Sequence, residues 1–196
     1  MKNRNAAKWL TRGYAALVGA LSAVTIAALA CRYPALPERV PVYLAPWGGA
    51  IADAGKSLFY VFRLPVMALC LQALLLGLYP ERAEGWPEAA YRHMLGVLMG
   101  LSLITLSQLT LNPYFTLGGA VPAYVSVLLC ALLAGGLALA VCGYLGIRRA
   151  LKPLCREGKT PFALMTDFIA SGCRRRRWLL IGATAAFMVL LVIPSL

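Results

Sequence analysis

Apolar and polar positions along this chain do not alternate. They fall into five long apolar blocks separated by short polar ones, at roughly Tyr14–Cys31, Leu58–Leu78, Met94–Leu111, Val121–Leu145 and Trp178–Leu196. Each reaches or approaches the ~20 apolar residues that a helix needs to cross ~30 Å of hydrocarbon. Lipid offers no hydrogen bonds, so the backbone of such a block must satisfy itself internally, which selects helices over strands. The pattern predicts an all-α, polytopic membrane protein with five transmembrane helices in one bundle over residues 14–196, after a basic arm at 1–13. The polar blocks become an outer loop at 32–57 and cytoplasmic loops at 79–93 and 146–177.

Composition agrees with that reading. Of the 196 residues, 61% are hydrophobic, against ~45–50% in a soluble domain, and no polar stretch is long enough for a second domain. The net charge of +12 suggests nucleic acid until its distribution is considered. Fifteen basic residues fall on one side of the five-span model: Lys2, Arg4, Lys8 and Arg12; Arg82 and Arg92; and Arg148, Arg149, Lys152, Arg156, Lys159 and Arg174 to Arg177. Only Arg32, Arg39 and Lys56 fall on the other, with Arg63 inside a span. Cytoplasmic loops carry such an excess, so the amino terminus is expected in the cytoplasm and the carboxyl terminus outside. Membrane lipids, not nucleic acid, are the expected partners of the charge. The first span has a basic start like a secretory signal, but Arg32-Tyr33-Pro34 follows it without a small-residue cleavage site, so it reads as an uncleaved helix.

Little in the chain points to catalysis. His93 is the only histidine and sits beside Arg92 at a span edge, so no Ser-His-Asp, Cys-His or histidine-rich metal set is assembled. Of six cysteines, Cys70, Cys130 and Cys142 lie in spans and Cys155 and Cys173 in a cytoplasmic loop, leaving Cys31 without an outer partner. No disulfide framework, metal or cofactor is expected. Gly158-Lys159-Thr160 ends like a phosphate-binding loop, but position 153, where that pattern needs glycine, is Pro153. Both aspartates fall in loops.

Two sets of residues remain as candidate sites. The first is the loop at 32–57, dense in Pro34, Pro37, Pro41 and Pro46 and in Gly48, Gly49 and Gly55. That density excludes a regular helix, while Tyr33, Val40, Val42, Tyr43 and Trp47 give it material to fold onto the membrane. The candidate binding residues are Tyr43, Trp47, Gly48, Asp53, Lys56 and Arg63. Asp53 and Lys56 are spaced to pair or to cap the second helix, and Arg63 either snorkels to headgroups or pairs with Asp53 or Glu38. The second set is an intramembrane polar stripe. Thr105, Gln108 and Asn112, spaced i, i+3, i+7, share a helix face and either bond to Gln72 as bundle glue or line a hydrated path. Asn112-Pro113 should close the third span, leaving a short uncharged turn at 112–121. Beyond the fourth span, Phe162, Leu164, Met165, Phe168 and Ile169 form an amphipathic piece suited to the interface plane.

The loop also carries a resemblance. Leu36, Pro37, Val40, Pro41, Gly48 and Lys56 stand at the spacing of the loop that follows the first helix in the SdpI-like family of small bacterial membrane proteins. Tyr43 occupies the position where that family usually has His, and Asp53 is displaced by about two positions. The resemblance implies a bacterial inner-membrane protein that confers immunity to a secreted toxic peptide, or senses it and captures a cytoplasmic regulator. Two functions are therefore expected. One is a non-enzymatic protein that binds or senses a peptide, lipid or membrane partner through its outer loop. The other is a small transporter or lipid-handling protein that uses the stripe. A homo-oligomer is compatible with both.

Overall fold

The computed structural model describes residues 2–78, 87–157, 160–173 and 177–192. It is mostly helical. Helix α1 spans Lys2–Arg32 and ends in a single 3-10 turn, Tyr33–Ala35. Strands β1 (Arg39–Leu44) and β2 (Ala50–Gly55) follow, then α2 (Leu58–Leu78). Helix α3 (Glu88–Leu106) continues through a π-helical segment, Ser107–Leu111, into α4 (Asn112–Leu117). Helix α5 (Ala123–Leu151), a 3-10 segment, α6 (Pro161–Cys173) and α7 (Arg177–Val192) complete the chain.

Four helical stretches, Arg12–Ala35, Leu58–Leu75, Glu88–Leu117 and Ala123–Cys155, are long and apolar enough to cross a membrane. The fifth apolar block forms α7, whose 16 residues are shorter than these, and it packs along α2. Burial is inverted relative to a soluble protein. Leu17, Val24, Val127, Leu137, Val141, Ile181 and Val189 face outward, while Gln72, Ser102, Thr105, Ser107 and Asn112 are inside. An apolar exterior of this extent needs an apolar surrounding.

Two features differ from the sequence expectation. The third helix does not stop at Asn112-Pro113. Pro113 lacks the N–H that an α-helix would use, and the widened turn at Ser107–Leu111 accommodates it, with the Asn112 N–H donating to the Ser107 carbonyl. The uncharged turn therefore shrinks to the residues after Leu117. Helix α5 runs on to Leu151, extending the fourth apolar block as a basic helical stretch with Arg148 and Arg149 in its last turn, where cations suit the helix dipole. The loop at 32–57 keeps its limits but contains an antiparallel hairpin, so the protein is not purely α. Residues 79–86 of the expected loop at 79–93 lie outside the described residues, as do Gly158, Lys159, Arg174 to Arg176 and the last four residues. The amphipathic piece is α6, started by the Thr160 hydroxyl, which accepts from the Ala163 N–H at 3.2 Å. Its Leu164 and Met165 pack on a core of Ala90, Met94, Ile147 and Leu151.

The bundle is fixed by the contact between α3 and α5. A Cβ on Gly136 would lie 2.7 Å from the Gly100 carbonyl oxygen, and one on Gly143 would lie 2.7 Å from that of His93. Backbones this close require glycine at both positions. The clamp holds α3 upright, so that its continuation, α4, meets the hairpin.

Candidate functional site

The hairpin is built from its turn outward. Pro46 and Trp47 occupy the two central positions of a β-turn closed by the Gly48 N–H donating to the Ala45 carbonyl at 3.0 Å. Proline is preset for the first of these positions. Gly48 and Gly49 then take φ of 92° and 97°, a region closed to side-chain-bearing residues without strain. The Ala45 N–H closes back onto the Gly49 carbonyl at 3.1 Å. The ribbon has register irregularities between Pro41 and Tyr43 and between Tyr43 and Leu44, and Val40 and Val42, two apart on the strand, are both buried. Val40 joins Leu29 of α1, Val61 of α2 and Leu117 of α4 in one apolar cluster, with Tyr33, Leu36, Tyr60, Phe62 and Tyr114 around it. A two-stranded ribbon is marginal alone, and this cluster supplies what it lacks.

Polar contacts seat it further. The fully buried Asn112 donates through Nδ2 to the Ala45 carbonyl at 2.6 Å, and its Oδ1 accepts from the Thr116 hydroxyl at 2.9 Å. Gln108 Nε2 donates to the Pro46 carbonyl at 3.4 Å. Lys56 Nζ donates to the Leu36 and Pro34 carbonyls at 2.9 and 3.2 Å and lies 5.1 Å from the Tyr33 ring centre. The Lys56 N–H donates to the Glu38 carbonyl at 2.7 Å, closing the hairpin base.

Several expectations change here. Lys56 does not pair with Asp53 but ties carbonyls. Asp53 is exposed on β2. Ser57 caps α2 instead of either, its hydroxyl accepting from the Tyr60 N–H at 3.2 Å. Arg63 pairs with neither Asp53 nor Glu38. It is 8% exposed, and its guanidinium lies 5.8 Å from the Tyr43 ring centre. Within the stripe, Gln72 meets Ser102, not Thr105. The Ser102 hydroxyl donates to Gln72 Oε1 at 2.7 Å, and Gln72 Nε2 donates to the Ser102 carbonyl at 3.1 Å. Thr105 turns back to its own helix, donating to the Leu101 carbonyl at 2.9 Å. Ser102, a polar position of the third helix, and Thr116 were not among the candidate site residues. Thr116 stood four residues after Asn112, a helical neighbour spacing that would have signalled the pair.

The two candidate sets, expected to serve rival functions, thus belong to one construction. The upper stripe grips the hairpin turn, and the hairpin displays Tyr43, Trp47 and Ile51, each more than half exposed. Beside the turn, a groove of about 610 Å³ runs between Arg39, Gly48 and Gly49 of the hairpin and the Thr116–Val121 segment. It shares Ala35, Leu117 and Gly118 with a cavity of about 270 Å³ bordered by Arg32 and Tyr114. Neither lining contains a carboxylate side chain. Among the described residues no three His, Cys, Asp or Glu side chains group as metal ligands. No family model, curated protein or solved structure matches the chain.

Proposed function

We propose that this is a non-enzymatic membrane protein whose hairpin is a recognition surface for a peptide, lipid or membrane partner. The observation that carries this reading is the Asn112–Ala45 bond, a buried intramembrane side chain committed to holding the hairpin turn. A preformed loop loses little entropy when it binds, and tyrosine and tryptophan on a rigid turn are the side chains most enriched at binding hot spots. The stripe's amides are already engaged with protein acceptors, which favours a clamp over a conduit.

In this reading the hairpin faces out of the cell and the basic segments face the cytoplasm, in a bacterial inner membrane. Helix α7 makes the fifth crossing. The family resemblance of the loop fits an immunity or sensing role toward a secreted peptide. Replacing Tyr43 and Trp47 together by alanine should leave insertion and expression intact and remove the cellular phenotype that depends on the gene. Thr105→Ala should leave that phenotype in place. A double variant as active as the parent, with the phenotype lost in Thr105→Ala, refutes the hairpin reading.

A further inference from the structure

Among the described residues, Arg63 is the one buried charged side chain, and its charge has no acceptor. It sits in the second turn of α2, is 8% exposed and has only the Tyr43 ring over it. No hydrogen bond or ion pair among the described residues uses it. A guanidinium carries five donors in a rigid fork and stays charged. Withdrawing it from water without an acceptor is costly, and a π-face answers only part of that cost. The other cations at this end differ. Lys56 is satisfied by two carbonyls, and Arg32 and Arg39 are exposed. The side chains fully sealed from solvent without a partner are Ser22 and Thr110, not Arg63. The guanidinium nitrogens therefore keep a narrow opening to the surface.

We infer that Arg63 and the Tyr43 ring form a seat for a phosphate oxyanion, either the phosphodiester of a lipid headgroup or free phosphate. The guanidinium fork matches two phosphate oxygens at once, and the Tyr43 ring centre lies 5.8 Å from it. One and a half turns into α2, the group lies near the end of a candidate span, at the depth where headgroup phosphates meet the hydrocarbon in the proposed topology. The inference rests on the hairpin end being a binding surface and names the chemistry of one ligand there.

The test uses the full-length protein in neutral detergent, titrated separately with short-chain phosphatidylglycerol and with inorganic phosphate, and read by the thermal unfolding midpoint. A saturable rise with the lipid alone supports the headgroup source, and a rise with inorganic phosphate supports free phosphate. The basic segments also meet anionic lipid, so the decisive comparison is with Arg63→Gln. Its affinity should fall about tenfold or more, the worth of a charge-assisted hydrogen bond. Arg63→Lys keeps the charge but not the fork and should bind several-fold more weakly than the parent. It carries the test if the glutamine variant does not fold. No rise with either probe, or an affinity that Arg63→Gln or Arg63→Lys leaves unchanged, overturns the inference. The readout is made on purified protein, so it fails or stands separately from the cellular phenotype of the Tyr43 and Trp47 variants.

Discussion

Replacing Asn112 should loosen the hairpin without unfolding the bundle. Asn112→Ala removes the 2.6 Å bond to the Ala45 carbonyl and the acceptor of the Thr116 hydroxyl. The Ala45 carbonyl keeps the Gly48 N–H, and Thr116 is only partly buried, so neither is left stranded. The loss is then one buried hydrogen bond, about 1 kcal/mol. The fully enclosed site also becomes a small cavity, worth about another 1 kcal/mol. Alanine's better helix propensity returns about 0.6 kcal/mol. The net is about 1.4 kcal/mol, a tenfold change in the opening equilibrium. Asn112→Asp keeps the volume and the acceptor for Thr116 but turns a carboxylate oxygen toward a carbonyl oxygen, so it should cost at least as much. Hydrogen exchange of the Ala45 and Gly48 amides should accelerate about tenfold in Asn112→Ala, while amides where α3 crosses α5 exchange as before. Unchanged exchange at Ala45 and Gly48, or equal acceleration in α3 and α5, refutes the reasoning.

Adjacent glycines give a sharper contrast. Gly136→Val meets the Gly100 carbonyl and Ile104 within 3 Å and should cost about 2–3 kcal/mol in an unfolding titration. Gly135→Ala, with nothing within 4 Å, should be neutral or stabilise by up to about 1 kcal/mol. A double-mutant cycle of Gln72→Leu and Ser102→Ala should return a coupling of about 0.6–1.7 kcal/mol; additive effects would mean the pair contributes nothing. In a cysteine-free background, an impermeant thiol reagent applied to intact cells should label a cysteine at Ala50 and spare one at Asp167, and the reverse pattern inverts the proposed topology.

The limits of the loop at 32–57 were readable because Arg32-Tyr33-Pro34 and Ser57 bound it sharply against apolar runs. Its hairpin was not readable, for physical reasons. Pro41 argues against a strand and is tolerated because each strand of a two-stranded ribbon has a free edge. In Ala50-Ile51-Ala52-Asp53-Ala54-Gly55, only Ile51 favours extended structure. Thr105, Gln108 and Asn112 were legible as polar positions of one helix, but the widened turn between Thr105 and Asn112 breaks the α-helical spacing that would put them on one face. Their use was not legible, because Asn112 bonds to a residue 67 positions away, and such pairings leave no local periodicity. Asn112-Pro113 misled because proline near a helix end normally marks the end. The widened turn that lets the helix continue has no residue signature of its own.

That widened turn has a further consequence. Side chains advance about 100° per residue in an α-helix and less in a π-helical turn, so Ser107–Leu111 hands the helix on in a different phase. Below it, Gly100, Ser102 and Ile104 are locked against α2 and α5. Above it, Asn112, Tyr114 and Leu117 serve the hairpin and its groove. The two halves are geared independently. Gaining or losing one residue within this segment would re-aim the upper half as a block by about a quarter turn, and the lower half would keep its seat. A lineage of such proteins can therefore change the angle at which the hairpin is presented without rebuilding the bundle that carries it.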